Sequence, residues 1–279
     1  MSDVQINPSI TGFYGRPGIL DRISDMLQAA GVDPDKPRVA DLAPFDQFHT
    51  GGNEATAALL ELADLPRESD VLDVGGGIGG TARMLAQELG GRVTVLDLTE
   101  ESCRVGAELT RRTGLSGRVV FKQGDALDMP FPDASYDAVW IQNVSMNIAD
   151  KQRLFGEMHR VLKPGGRLVL QEVVAGQVQP VHYPVTWARD SSTSFLIPAQ
   201  EMRAVLEARG FRALEWQDAT EMLAAARKRS STAPSARGGI PPGLVVMFGT
   251  EAAKEIAANI ARNASEGRVA NIIAVLERV

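Results

Sequence analysis

The sequence of 279 residues contains one cysteine, Cys103, and only three histidines. A single cysteine excludes an intrachain disulfide and a zinc site built from cysteines. Basic residues are not in excess either, since 29 Lys and Arg stand against 35 Asp and Glu. Because phosphate binding needs clustered Lys and Arg, we expect no nucleic-acid partner.

Long apolar runs are also absent, and none approaches the roughly 20 residues that span a bilayer. The first residues lack the basic start and the apolar core of a secretory signal. His, Asp and Glu do not cluster at the spacing of metal ligands, so no metal site is predicted. We therefore expect a cytoplasmic protein with no membrane partner, and the composition leaves a homodimer open.

From residue 70 onwards, short apolar strands alternate with helices, most of which end at a glycine. The five strands are DVLDV, RVTVLDL, RVVFKQ, YDAVWIQN and RLVLQEVV, and a Pro-Gly-Gly sequence at 164–166 is predicted to stop the helix before the fifth. Such alternation predicts a doubly wound, mostly parallel sheet with helices on both faces. FRALEWQDA and RVANIIAVLERV bring the predicted sheet to seven strands, although the last stretch is ambiguous between strand and helix.

The segments outside this alternation predict a cap and a lid. Residues 1–18 are predicted to be irregular, 19–30 helical and 33–52 a Pro-rich connector, after which Asn53 can cap a further helix. Residues 227–243 are predicted to form a loop. We divide the chain into an N-terminal helical cap, 1–65, and a remainder, 66–279, within one structural domain. In the remainder, residues 176–200 show neither the helical nor the strand spacing of apolar residues, and we predict that they form a lid over a substrate.

The stretch VLDVGGGIGG, residues 71–80, places a glycine loop between a strand and a helix, where backbone can approach a ligand closely. It satisfies the dinucleotide pattern G-x-G-x-x-G from Gly75, and also a pattern D-x-G-x-G-x-G from Asp73. Asp97, which ends the second strand, can hold the hydroxyls of a ribose in NAD or in S-adenosylmethionine. Gly124 and Asp125 follow the third strand, in front of an apolar loop that can hold an adenine.

Five segments in this order and spacing resemble the class I S-adenosylmethionine-dependent methyltransferases: VLDVGGGIGG, VTVLDL, GDALDMPF, YDAVWIQN and VLKPGGRLVL. The resemblance covers roughly 46–174 and is greatest to small-molecule enzymes of the sarcosine/dimethylglycine and ubiquinone/menaquinone type. It implies S-adenosylmethionine as cofactor and methyl transfer to nitrogen, oxygen or carbon of a small-molecule acceptor. Gly80, which completes the dinucleotide pattern, is then interpreted as incidental.

The resemblance also implies which residues bind the cofactor. Gly75 and Gly77 face its methionine and ribose parts, Asp73 binds near its amine, and Asp97 holds the ribose. The full set of implied cofactor residues is Gln47, His49, Asp73, Gly75, Gly77, Asp97, Leu98, Gly124, Asp125, Ala126 and Asn143.

Two histidines are candidates for a catalytic base, which an oxygen nucleophile usually needs. His49 lies in the cap before a Gly-Gly pair, and His182 lies in the lid; a simple loop hydrogen bond is the alternative for His49. Aromatic lid residues can bind an apolar or cationic acceptor, or simply pack the lid onto the sheet. The candidate substrate residues are Met146, His182, Tyr183, Trp187 and Phe195.

Two other functions fit the glycine loop. An NAD-dependent oxidoreductase is disfavoured by the GDA segment, by the Pro-Gly-Gly turn and by the absence of a Tyr-x-x-x-Lys pair. A non-catalytic S-adenosylmethionine-binding protein of the same fold is the other alternative.

Overall fold

A seven-stranded sheet with the order β3-β2-β1-β4-β5-β7-β6 forms the centre of the computed structural model, which describes residues 8–232 and 240–279. Strands β1 to β5 are parallel, and β7 runs antiparallel to both β5 and β6. The strands are β1 (Val71–Val74), β2 (Val93–Asp97), β3 (Val119–Gln123), β4 (Tyr136–Gln142), β5 (Leu162–Ala175), β6 (Phe211–Asp218) and β7 (Val269–Arg278). The doubly wound, mostly parallel seven-stranded fold is thus confirmed, and the ambiguous last stretch is a strand.

Helices cover both faces of the sheet, and the N-terminal helices lie near the carboxyl ends of its parallel strands. The described helices are α1 (Pro8–Tyr14), α2 (Ile19–Ala29), α3 (Val39–Asp46), α4 (Gly52–Ala63), α5 (Gly80–Leu89), α6 (Glu100–Arg112), α7 (Lys151–Val161), α8 (Ala199–Ala208), α9 (Thr220–Thr232), α10 (Pro242–Phe248) and α11 (Thr250–Ser265). In the part of the chain that the structure describes, no helix is long and apolar enough to cross a membrane.

Side chains alternate between two cores because successive residues of a strand point to opposite faces. Leu72 of β1 packs with Phe155 of α7 on one face, while Val71 packs with Leu85 of α5 and the fully buried Trp140 on the other. Both faces of the central strands are therefore covered, which explains their almost purely apolar sequences.

The N-terminal helices form one hydrophobic cluster with α10 and α11. Ile19, Ile23 and Leu27 recur every four residues along α2 and are buried in this cluster. The ring of Phe13 in α1 lies 5.3 Å from the ring of Phe248 in α10. The predicted cap is therefore packed against a late part of the chain, near the carboxyl ends of the parallel strands.

Two segments predicted to be irregular contain helices. Residues 8–14 form α1 inside the predicted leader, and 39–46 form α3 inside the predicted connector. In α3, the Asp41 carboxylate accepts a hydrogen bond from the backbone N–H of Arg38 at 2.8 Å, which caps the helix start. Burial of Val39, Leu42 and Phe45 at helical spacing then outweighs the proline inside the helix.

Three further boundaries differ from the predictions. The helix expected to begin after Asn53 begins at Gly52, and no side chain caps it. The Pro-Gly-Gly sequence lies inside the bounds of β5, because α7 already ends at Val161. The predicted loop 227–243 overlaps α9 and α10, and its residues 233–239 lie outside the described part of the chain.

A fully buried ion pair joins the cap to the sheet. The Arg83 Nη2 atom in α5 lies 2.8 Å from Asp46 Oδ2 at the end of α3, and both side chains are almost completely buried. Arg83 also donates to the backbone oxygen of Ile78 and to Thr110 Oγ1. A Cβ atom at Gly80 would lie 2.3 Å from the Asp46 backbone oxygen. Gly80 is therefore not incidental, since only glycine allows α3 and α5 to approach this closely.

We predict that Asp46→Asn destabilises the protein by about 3–5 kcal/mol, because it leaves the Arg83 guanidinium buried without a counter-charge. Asp35→Asn is the matched control, since the Asp35 side chain is 76% exposed and lies 3.9 Å from Arg112. Its effect should stay within about 1 kcal/mol. Urea unfolding measures both, and a small effect at Asp46 would contradict the central role of this pair.

Candidate functional site

The order of the strands reverses between β1 and β4, which places a crevice outside their carboxyl ends. A cavity of about 450 Å³, the first cavity, lies in this crevice. Its walls include Asp73 in β1 and Gly75 after it, Asp97 at the end of β2, Asp125 after β3 and Asn143 after β4. Its volume is in the range of small-molecule sites.

The glycine loop holds a carboxylate at the edge of the first cavity. Gly75 and Gly77 have φ angles of 65° and 55°, which favour glycine. The Gly77 N–H donates to Asp97 Oδ2 at 3.0 Å, and the Thr99 N–H donates to Asp97 Oδ1 at 2.8 Å. Each Asp97 oxygen keeps acceptor capacity for a further donor. Burial raises the pKa of Asp97, while these two N–H groups favour its charged form.

Asp73 is a second carboxyl group on the wall of the first cavity, and it is buried. Its Oδ2 atom has no hydrogen-bond partner. Burial raises the pKa of Asp73 to about 8, and the nearby charge of Asp97 adds to the shift. Without a ligand, Asp73 is therefore mostly uncharged at neutral pH. A cationic group bound beside it would favour its ionised form.

The buried carboxyl group of Glu172 fixes the turn after β4 by hydrogen bonds. Asn143 adopts a φ of 55° there. Glu172 accepts hydrogen bonds from the Ser145 backbone N–H at 3.2 Å and from Ser145 Oγ at 2.8 Å. Burial raises the pKa of Glu172 to about 7. Lys151 Nζ donates to the backbone oxygens of Ser145 and Phe195, at 2.7 and 2.8 Å, so the same turn also anchors the lid.

Asn147 connects the lid to the N-terminal cap. Its Nδ2 atom donates to the backbone oxygens of Trp187 and Thr193, at 2.8 Å each. Its Oδ1 atom accepts a hydrogen bond from the Tyr14 hydroxyl at 3.0 Å. Tyr14, Asn147 and Trp187 all line the first cavity, so this network closes one of its walls.

A second cavity of about 390 Å³ adjoins the first. The two share Phe48, His49, Asn143, Thr186 and Trp187 in their walls. We refer to these five residues as the junction. The remaining walls of the second cavity come from α3, the segment between α3 and α4, the start of α4, β5, α9, α10, α11 and β7. Within residues 8–232 and 240–279, no three His, Cys, Asp or Glu side chains are grouped so that they could hold a metal ion.

His49 at the junction belongs to a polar network. Its Nε2 atom lies 2.9 Å from Gln47 Oε1 and 3.0 Å from Thr56 Oγ1, and its Nδ1 atom lies 3.4 Å from Gln142 Nε2. Burial lowers the pKa of His49 to about 4, so the ring is neutral at pH 7. Gln142 and Thr56 were not among the predicted residues. The lone amide that ends the apolar strand YDAVWIQ is the sequence signal for Gln142.

The structure brings most of the predicted site residues to the first cavity. Gln47 lines the second cavity instead. Those at the first cavity are His49, Asp73, Gly75, Gly77, Asp97, Leu98, Gly124, Asp125, Ala126, Asn143, Met146, Trp187 and Phe195.

Two predicted lid residues are not brought to either cavity. The His182 Nε2 atom lies 3.0 Å from Glu266 Oε2, and the His182 backbone N–H donates to Asn263 Oδ1 at 2.8 Å. Tyr183 packs against the hydrophobic cluster beneath the lid. The structure therefore does not place His182 as a catalytic base or either residue against a substrate, because the Glu266 carboxylate holds the imidazole at the end of α11.

We predict that Asp73→Asn changes how stability depends on pH. The folded, ligand-free protein keeps the Asp73 proton up to about pH 8, whereas the unfolded chain releases it near pH 4. This group therefore contributes stability that is present at low pH and is lost as the pH rises from about 4 to about 8. The free energy of unfolding of Asp73→Asn, measured in urea relative to that of the parent, should therefore increase from pH 5 to pH 8. An equal difference between variant and parent at pH 5 and at pH 8 would contradict this.

A family model described as a methyltransferase domain, Methyltransf_11, matches residues 72–170. The methyltransferase GfsG of Streptomyces halstedii is 31% identical over 65% of this chain and 66% of its own length. The ubiquinone/menaquinone biosynthesis C-methyltransferase UbiE of Enterobacter sp. (strain 638) is 32% identical over 50% of this chain and 55% of its own length. The chain thus spans between half and about two thirds of these curated relatives.

A solved structure matches the whole chain in fold. Geranyl diphosphate C-methyltransferase from Streptomyces coelicolor A3(2), in complex with Mg²⁺, geranyl-S-thiolodiphosphate and S-adenosyl-L-homocysteine, superposes with a TM-score of 0.72. The match covers 100% of both chains at 17% sequence identity, so it supports the fold alone.

Proposed function

The chain belongs to the S-adenosylmethionine-dependent methyltransferases, whose domain it carries over residues 72–170, and we propose that it methylates a small molecule at nitrogen, oxygen or carbon. One observation carries the proposal. The glycine loop fixes the Asp97 carboxylate at the end of β2 by a 3.0 Å hydrogen bond from Gly77, on the wall of a cavity that also contains Asp73.

The residues of the first cavity fit S-adenosylmethionine. The unpartnered, buried Asp73 Oδ2 atom is suited to the ammonium group of the methionine part. The Asp97 carboxylate can accept from both ribose hydroxyls. Leu98 and Ala126 supply apolar contacts for the adenine, and Asp125 can accept from its exocyclic amine.

When bound, S-adenosylmethionine supplies a methyl group on a positively charged sulfur. Transfer of that methyl group to an acceptor atom would leave the sulfur as a neutral thioether. The protein must align these three atoms and exclude water, and such positioning can contribute roughly 7–11 kcal/mol. The junction is suited to this task, because it joins the first cavity to the second, where we place the acceptor.

The proton of the acceptor decides whether a base is needed. A neutral amine attacks without prior deprotonation, whereas a hydroxyl usually transfers its proton to a base. His49 is the candidate base that lines the junction, but its pKa is lowered to about 4 and both of its ring nitrogens face protein side chains. We therefore propose that His49 mainly positions the reacting groups, and we no longer propose His182 as a base.

The remaining alternative is a protein of this fold that binds S-adenosylmethionine without transferring its methyl group. A screen of acceptors with a radiolabelled methyl donor separates the two, since only the enzyme labels a product. An NAD-dependent oxidoreductase is not supported by the family match. The cytoplasmic location, the homodimer and the absence of nucleic-acid partners stay predictions from composition.

We predict that S-adenosylhomocysteine stabilises the folded protein and that NAD does not. At 100 times its dissociation constant, the ligand should add about 2.7 kcal/mol to the free energy of unfolding, which a thermal-shift assay detects. Stabilisation by NAD alone would overturn the proposed function.

Asp97→Ala should weaken the binding of S-adenosylhomocysteine at least about tenfold, because each hydrogen bond to a charged group is worth about 1.5–3 kcal/mol. Asp218→Ala is the matched control. Asp218 ends β6 and accepts from the Thr220 N–H at 2.9 Å, as Asp97 does from Thr99, but it does not line the first cavity. Equal loss in both variants would contradict the role of Asp97.

We predict that Trp187→Ala impairs the use of an acceptor far more than the binding of S-adenosylhomocysteine. Trp187 is buried at the junction, and its Nε1–H donates to Ser194 Oγ at 2.9 Å, so its loss opens the wall between the cavities. For an acceptor found in the screen, kcat/KM should fall at least about tenfold. Trp216→Ala on β6 is the control, and equal loss of both properties at Trp187 would refute the lid assignment.

A further inference from the structure

We propose that the second cavity binds a neutral, largely apolar molecule that donates a hydrogen bond to Asn271. The proposal rests on the proposed function, because the second cavity is taken as the place of the methyl acceptor. It goes beyond that function by naming the chemical class of the acceptor and one residue that selects it.

The walls of the second cavity are mainly apolar. Phe48 and Trp187 lie at the junction, Val173 and Val269 line the sheet side, and Leu244 contributes from α10. An apolar molecule gains binding free energy in proportion to the surface that such walls remove from water. A volume of about 390 Å³ accommodates a molecule of two to four fused or linked rings.

The described walls offer no uncompensated charge. Among the lining residues that the structure describes, Glu54 and Arg229 are charged, and they form an ion pair with each other at 2.6 Å. Both side chains are more than half exposed, so the pair lies at the rim. An ammonium, carboxylate or phosphate group deep in this cavity would lose its hydration without gaining a buried counter-charge. The walls therefore favour a neutral ligand.

Asn271 is a buried polar residue in the wall of the second cavity. Its side chain is more than nine-tenths buried, and its Oδ1 atom has no hydrogen-bond partner. Its backbone groups are satisfied, since its N–H donates to Thr220 Oγ1 at 2.8 Å and its carbonyl accepts from the Ala219 N–H at 2.8 Å. A buried unpaired acceptor is costly, and a ligand hydroxyl or neutral N–H would satisfy it.

Asn143 supplies a second acceptor at the junction. Its Nδ2 atom donates to Thr50 Oγ1 at 3.2 Å, whereas its buried Oδ1 atom is unpartnered. Two residues with unpaired amide oxygens thus line one mainly apolar cavity, and Asn143 lies at the junction, where we place the methyl transfer. This arrangement fits an acceptor with at least two neutral donor groups on an apolar frame.

Four probes on one ring system test the proposal: 2-naphthol, 2-methoxynaphthalene, 2-naphthoate and 2-naphthylmethylammonium. Calorimetry measures their affinity for the full chain saturated with S-adenosylhomocysteine. We expect 2-naphthol to bind about threefold to tenfold more tightly than 2-methoxynaphthalene, which lacks the donor, and more tightly than both charged probes. Tighter binding of a charged probe, equal affinities for the two neutral probes, or no binding of 2-naphthol at millimolar concentration would overturn the proposal.

Asn271→Leu, which keeps the volume and removes the amide, should abolish the preference for 2-naphthol over 2-methoxynaphthalene. Asn53→Leu is the matched control, because Asn53 lines the same cavity at an exposed position and should leave the preference unchanged. If Asn271→Leu fails to fold, Asn271→Asp should reverse the order of the probes in favour of the ammonium. A preference that survives either change at Asn271 overturns the proposal.

The affinity for S-adenosylhomocysteine is measured separately in each variant and should stay within about twofold of the parent. Failure of that ligand to bind the parent protein refutes the proposed function. The probe series, repeated without S-adenosylhomocysteine, then still tests the chemistry of the second cavity by itself.

Discussion

The buried contact between Arg83 and Asp46 is the interaction on which both walls of the site depend. Arg83 follows the glycine loop and also holds the Ile78 backbone oxygen, so its position fixes the loop. Asp46 ends α3, directly before the segment with His49. Since neither charge reaches water, the pair is stable only when α3 and α5 are in close contact, and Gly80 makes that contact sterically feasible. The cap and the sheet edge are thereby fixed to each other beside the first cavity, which Asp46 lines.

The two cavities differ in the charge of the side chains that line them. The first contains Asp73 and Asp97, whose carboxyl groups suit a ligand with an ammonium group and a ribose. In the second, neutral amides interrupt an apolar lining, and the charged pair described there lies at the rim. His49, neutral and hydrogen-bonded, separates the two environments. The first cavity therefore suits a charged cofactor, and the second suits the neutral acceptor that we propose.

The sheet and most of the first cavity could be predicted because they depend on local sequence. Short apolar runs that end in glycine or aspartate mark strand ends, and parallel strands bring those ends together. Helices α1 and α3 were not predicted, because their sequences contain proline or glycine, which disfavour a helix, and their helical spacing of apolar residues is short. Burial against the rest of the protein stabilises both helices. His182 was misplaced because its partner, Glu266, lies 84 residues away in the chain. Asn271 left a signal that could have been used, a lone amide within VANIIAV, yet its unpaired oxygen appears only in three dimensions.

Strand β7 follows every other strand in the chain and yet lies inside the sheet, between β5 and β6. During synthesis, the backbone groups of β5 that pair with β7 therefore stay unpaired until β7 has left the ribosome. The wall that contains Asn271 is therefore completed only when β7 pairs with β5.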